Sequence, residues 1–295
     1  MGGEDEESFG QLFYAFFQEL LGSLFMYLLF FPVGAMLGNT FEGWVFHFLA
    51  VICFDIITAG SCANPAICIA LYFAGKLTMV GTAVRIAAEL LVGIVGFTLL
   101  HAIVPLNLVS LTGGPELTAG VDIYYGAFME CSLTLLFALT VLLASSFVTD
   151  PEMSRPLFAG VLRMLIEIGG PTSGANMNSM VGFSWAWYTN RLYSIEYQTV
   201  YFVAPLIGGL LAAGVYNSTM TFVPPEQEKS SEAIANTAEI IKPPVGKKSA
   251  KKGAKGKSSA SSDKKSLMVS TSNDNFRPMT RGQNAKSRLK KRNKK

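Results

Sequence analysis

The apolar run from Ile67 to Gly75 is too short to cross a membrane, and it follows directly on a polar turn, Asn64-Pro65-Ala66. A spanning helix needs about 20 residues, whereas about 10 cover half the bilayer. Asn64 has the chemistry of a helix N-cap. Pro65 suits the first helical position, where its missing N–H costs nothing. A helix that enters a membrane and stops is tolerated only where protein or a water-filled path surrounds it. The triplet therefore marks a pore element, and the rest of the chain must enclose it.

The surroundings are membrane-like. Half of the 295 residues are hydrophobic, and mean hydropathy is +0.37 despite a very polar end. That is more apolar than a soluble domain of this size. Long apolar stretches predict six spans: Gln11–Gly34, Trp44–Ala59, Thr78–Val104, Ile123–Val148, Arg155–Ile168 and Thr199–Asn217. The second and fifth are short and are interrupted by Asp55 and by Arg163 and Glu167. The opening, Gly2-Gly3-Glu4-Asp5-Glu6-Glu7, is acidic where a signal peptide is basic, so residues 1–10 are expected to be an uncleaved polar start. Cys53, Cys62, Cys68 and Cys131 lie in or beside apolar segments without zinc-ligand spacing, which predicts buried free thiols and no metal.

Charge divides the chain. From Phe222 onward there are 19 Lys and Arg against 6 Asp and Glu; the remainder carries 5 against 15. Residues 222–295 are rich in Lys, Ser and Gly and are expected to be disordered. Basic residues favour the cytoplasmic side, which places this tail, and with six spans the N-terminus, in the cytoplasm. The clusters Lys247-Lys248, Lys251-Lys252, Lys264-Lys265 and Lys290-Lys291-Arg292 suit anionic lipid rather than nucleic acid. On this topology Arg191 is the one basic residue placed outside, and the Asn217-Ser218-Thr219 sequon faces the cytoplasm.

The chain also repeats. Glu19 in Phe16-Phe17-Gln18-Glu19-Leu20-Leu21-Gly22 matches Glu130 in Ala127-Phe128-Met129-Glu130-Cys131-Ser132-Leu133. A second polar turn, Gly174-Ala175-Asn176-Met177-Asn178-Ser179-Met180, precedes a second short run, Val181 to Tyr188. Residues 11–104 and 123–219 each read as helix, helix, polar turn with half-helix, helix. Three spans per half force opposite topologies, so the half-helices meet at the midplane with their N-termini facing. That is a recurrent arrangement for solute sites.

Taken together, Asn64-Pro65-Ala66, the approach Ser173 to Asn178, the two helix glutamates and Tyr201-Phe202-Val203-Ala204-Pro205-Leu206-Ile207-Gly208-Gly209 resemble the aquaporin, or major intrinsic protein, family over Gln11 to Asn217. The resemblance implies an all-α membrane fold of six spanning helices plus two re-entrant half-helices in an inverted repeat. It implies passive conduction of water or small uncharged solutes, no cofactor, no catalysis, and a homotetramer. Asn64 and Asn178 would donate to passing water where the half-helix dipoles meet. Glu19 and Glu130 would support the re-entrant loops.

Two departures qualify this. Asn178-Ser179-Met180 replaces a second Asn-Pro-Ala; losing proline loosens that helix start, and Met180 narrows or reshapes the midplane. Val181 stands where the family carries a filter arginine. By spacing, the other constriction positions are Ile166, Ala175 and one of Trp44, Phe46 and His47. Such an apolar ring would gate by dewetting. Arg163, one turn before Ile166, is a candidate displaced cation, or else a partner for Glu167. Arg85 and Glu89 are expected to pair at i, i+4, and Asp55 to anchor the loop before Asn64. Two alternatives remain: a non-conducting junction or scaffold protein, and a secondary transporter titrating at Asp55 or Glu89.

Overall fold

The computed structural model describes residues 7–38, 40–104, 113–148 and 150–221. The basic tail from 222, residues 1–6 and part of the loop before Val121 lie outside the described residues. Among the described residues the secondary structure is entirely helical.

Helix α1 (Phe9–Phe25) starts at a capping box made by Ser8 and Gln11, and continues through a π-helical turn, Met26–Phe30, into α2 (Phe31–Leu37). Helix α3 (Phe41–Thr58) starts on the Thr40 cap. The half-helix α4 (Pro65–Phe73) begins on Asn64, and α5 (Met79–Ile103) follows from the Thr78 cap. The second half repeats the pattern: α6 (Ile123–Phe147), α7 (Pro151–Ser173), the half-helix α8 (Ser179–Tyr188), and a π-helical turn, Tyr197–Val203, leading into α9 (Ala204–Met220).

Among the described residues, five stretches are long and apolar enough to cross a membrane: Phe9–Gly34, Phe41–Thr58, Met79–Ile103, Ile123–Phe147 and Tyr197–Met220. The sixth expected span is α7. It is 23 residues long, or about 34 Å at 1.5 Å per residue, but Glu152, Arg155, Arg163 and Glu167 dilute its apolar character. The short span read from Arg155 to Ile168 is thus a longer helix with charged faces.

Large apolar side chains such as Phe13, Phe17, Leu91, Val95, Phe128, Leu136, Ile207 and Leu211 are exposed, as a lipid-facing surface requires. The interior is built from small residues and interlocks the two repeats. Half-helix α4 packs on α9, where Ile67 and Ala70 meet Ala212, Ala213 and Tyr216. Half-helix α8 packs on α5, where Met180 and Val181 meet Val92, Phe97 and Leu100 around Tyr27. Each half-helix therefore rests on a helix of the other repeat. Close approach demands glycine at Gly209, where a Cβ would lie 2.4 Å from the Ala66 carbonyl oxygen.

Candidate functional site

Two asparagines cap the half-helices and hold each other's loops. Asn64 Oδ1 accepts from Ala66 N at 3.0 Å, and Asn178 Oδ1 accepts from Met180 N at 3.0 Å. Asn64 Nδ2 donates to the Met177 carbonyl at 2.8 Å, while Asn178 Nδ2 donates to the Ala63 carbonyl at 2.7 Å. The residue before each asparagine, Ala63 (φ 44°) or Met177 (φ 49°), has left-handed backbone. That conformation costs an L-residue about 1–2 kcal/mol and needs an external hold.

The hold comes from two buried carboxylates. Glu19 accepts from Ser61 Oγ (2.6 Å), Cys62 N (3.1 Å) and Ala63 N (2.8 Å). Glu130 accepts from Ser173 Oγ (2.6 Å), Asn176 N (2.8 Å) and Met177 N (2.6 Å). In each loop the glutamate takes the N–H groups of the two residues before the capping asparagine, plus a serine hydroxyl. Gly22 lets Ser61 approach: a Cβ there would sit 2.1 Å from Ser61 Oγ.

The repeats differ in detail. Glu89 Oε1 accepts from Asn64 N at 2.8 Å, and Arg85 Nη1 donates to Glu19 at 2.7 Å. The expected Arg85–Glu89 pair is therefore not formed, because each side chain turns to the first loop instead. Asp55 does not anchor that loop with its side chain; its carboxylate pairs with Arg155 at 2.7 Å, joining α3 to the start of α7. Asn178 Nδ2 also lies 3.7 Å from Met26 Sδ, a weak acceptor, whereas Asn64 has no such sulfur contact.

The altered second triplet is accommodated. Ser179 is buried and its hydroxyl donates to the Phe202 carbonyl at 3.2 Å, a tie that proline lacks and that counters the expected loosening. Met180 is buried in the cluster around Tyr27, where α5 makes room at Gly93. Val181 belongs to that same cluster.

The residues expected at the constriction pack in different neighbourhoods. Ile166 and Ala175 share an apolar cluster with Leu133, Leu165 and Met177, separate from that of Val181. Trp44 stacks on Phe48, with ring centroids 5.6 Å apart. Phe46 and His47 instead line a cavity of about 110 Å³ together with Arg163, Phe30, Val33, Gly34, Gly38 and Gly43. Arg163 is 6% exposed and pairs with Glu167, yet its Nε is buried with no hydrogen-bond partner, as is His47 Nδ1. Spacing placed Arg163 near the constriction; its convergence with His47 was invisible in sequence because α3 and α7 meet only in the fold.

At the loop before α6, Glu116 pairs with Arg191 and accepts from Trp185 Nε1 at 3.2 Å. Arg191 also lies over the Tyr197 ring at 4.7 Å. Partial burial pushes the Glu116 carboxyl up, but the hydrogen bonds from Arg191 and Trp185 outweigh it and hold the group below its ordinary range.

A family described as major intrinsic protein matches residues 11–216. This chain belongs to the major intrinsic protein, or aquaporin, family. It is a multi-pass membrane channel for water and small solutes. Aquaporin TIP4-4 of Zea mays is 36% identical over 168 residues, covering 54% of this chain and 62% of that protein. Aquaporin SIP1-2 of Zea mays is 29% identical over 177 residues, covering 59% and 72%. Aquaporin A of Dictyostelium discoideum is 28% identical over 232 residues, covering 69% and 77%. The X-ray structure of the aquaglyceroporin from Plasmodium falciparum shares the fold, with a TM-score of 0.56 and 20% identity over 71% of this chain and 97% of that one.

Proposed function

We propose that this aquaporin conducts water and small neutral solutes in single file past Asn64 and Asn178. The crossed amide bonds carry the reading. Each amide nitrogen has two N–H groups and spends one on the opposite loop. The second N–H of Asn64 is left for a solute oxygen between two facing half-helix N-termini, where the dipoles disfavour a cation, and that of Asn178 has only the weak acceptor Met26 Sδ at 3.7 Å, which a solute oxygen can displace. Glu19 and Glu130 support this arrangement by holding the strained residues Ala63 and Met177.

Arg163 is the filter cation in displaced form. It brings charge and an unpaired N–H to a cavity that Phe30, Val33, Phe46 and His47 also line. Water supplies the partner that such buried polar atoms require. The assembly is a homotetramer with one pore per chain. Both termini are cytoplasmic, and the basic tail rests on anionic lipid, which adds about 1 kcal/mol per nearby Lys or Arg.

Osmotic swelling of liposomes containing the full chain, challenged with water, glycerol, urea and ammonia gradients, tests the function. Passive, pH-independent water flux is expected. Liposomes no more permeable than empty ones would favour the scaffold reading, and uphill or proton-dependent flux would favour a transporter.

A further inference from the structure

Cys62 lies in the turn before Asn64 and Cys68 in α4. The fold brings their sulfurs together with a carboxylate oxygen of Glu19, and these three atoms all lie within 4.8 Å of one another. Glu19 and Cys68 are fully buried, and Cys62 is partly exposed. Glu89 flanks the group. Its Oε1 accepts from Cys68 Sγ at 3.5 Å, while its Oε2 is buried with no hydrogen-bond partner.

We propose that Cys62, Cys68 and Glu19 bind a divalent cation of the zinc class, and that the bound ion lowers flux by shifting the first re-entrant loop. Two thiolates and a carboxylate are a ligand set for zinc. With Zn–S bonds of about 2.3 Å in a tetrahedral site, two sulfurs stand about 3.8 Å apart, so only a small closure is needed. Arg85, bound to Glu19 at 2.7 Å, offsets part of the negative charge that two thiolates and the carboxylate bring together. Glu89 lies outside that set and serves the site as the acceptor that orients Cys68. On binding, each thiol loses its proton to water as the S–metal bond forms; no electrons change hands.

The coupling to flux rests on the channel reading above. Glu19 also holds Ser61, Cys62 and Ala63, the residues that present Asn64 to the pore. A metal that draws on this carboxylate must loosen at least one of those bonds. A Cys62–Cys68 disulfide is the competing use of the two sulfurs.

Titration of the reduced, purified full-length protein with cadmium, a spectroscopic stand-in for zinc, decides between them. One equivalent should saturate an ultraviolet thiolate-to-cadmium band. The band should be lost in Cys62→Ala and in Cys68→Ala and retained in Cys53→Ala and Cys131→Ala. In proteoliposomes zinc should reduce water permeability of the wild type, a chelator should restore it, and Cys68→Ala should conduct without responding to zinc. No band in the fully reduced wild type, a band that survives both Cys62→Ala and Cys68→Ala, or a disulfide that forms without any metal binding would overturn the site. Cadmium binding with unchanged flux would overturn the coupling. Because the binding titration does not depend on conduction, a wild type that passes no water counts against the channel proposal alone.

Discussion

The side-chain amide of Asn178 donates a 2.7 Å hydrogen bond to the carbonyl of Ala63, 115 positions away in sequence. The bond from Asn64 to Met177 is its counterpart across the repeat. Together they clamp the two re-entrant loops, so each asparagine both caps its own half-helix and positions its partner's. Replacing Asn178 with Ala should remove a cap worth about 1 kcal/mol and a hydrogen bond worth about as much. Water permeability per folded channel should fall about tenfold, equivalent to about 1.4 kcal/mol of barrier. Stopped-flow swelling normalised to protein content measures it.

Arg163→Leu should leave a folded protein. Its partner Glu167 is 48% exposed on its side chain, so loss of the pair costs no more than about 1 kcal/mol. The cavity would then be apolar except for His47 and prone to dewetting. We expect water flux to fall about tenfold, with a proportionally smaller loss for less polar solutes. Unchanged water and proton flux in a well-expressed variant would remove Arg163 from the filter.

Arg85→Met should be among the most damaging substitutions. It leaves the fully buried Glu19 without its cation, and breaking a buried pair from one side costs about 3–5 kcal/mol. Glu19→Gln combined with Arg85→Met should recover part of the loss, because the amide oxygen still accepts from the loop. Thermal unfolding of the detergent-solubilised variants gives the comparison; equal stabilities for the single and double variants would show that the charge is not the cause.

The Glu116–Arg191 contact should make one end of the bundle acid-sensitive. The folded carboxyl titrates below the unfolded value of about 4.3, so its stabilisation is present above that value and is lost as pH falls through the lower folded value. Hydrogen-exchange protection of the Thr118 N–H, which bonds to the Thr172 carbonyl at 2.9 Å, should drop on acidification below about pH 4. Glu116→Gln should show reduced protection at neutral pH and a flatter response to acid. A wild type whose protection does not change with acid would rule out the linkage.

Much of the fold was legible. Asn64 and Asn178 stand at the starts of short apolar runs, and Glu19 and Glu130 sit alike in long ones, so caps, half-helices and carboxylates could be placed by position. The structure pairs those carboxylates with the loop N–H groups that the family resemblance implied. Less legible were choices between partners. Arg85 had Glu89 at the ideal helical spacing but bonds to Glu19, because a buried carboxylate gathering loop N–H groups gains more from the cation than an i, i+4 neighbour does. Asp55 bonds to Arg155 from another helix, which no local spacing announces. The grouping of Cys62 and Cys68 with Glu19 was equally hidden, since the two cysteines face each other only after the chain turns at Asn64.

Sequence alone determined that this chain spans a membrane, that it repeats in inverted order, and that two half-helices begin on asparagines. Each of these follows from local chemistry: apolar length, caps and an odd number of spans per half. Tertiary structure alone decided which half-helix rests on which repeat, where Arg163 and His47 converge, and which cation neutralises Glu19. Those outcomes depend on distances between residues far apart in the chain. In a low-dielectric interior an unpaired buried polar group is costly, and only the assembled helices determine which partners are within reach.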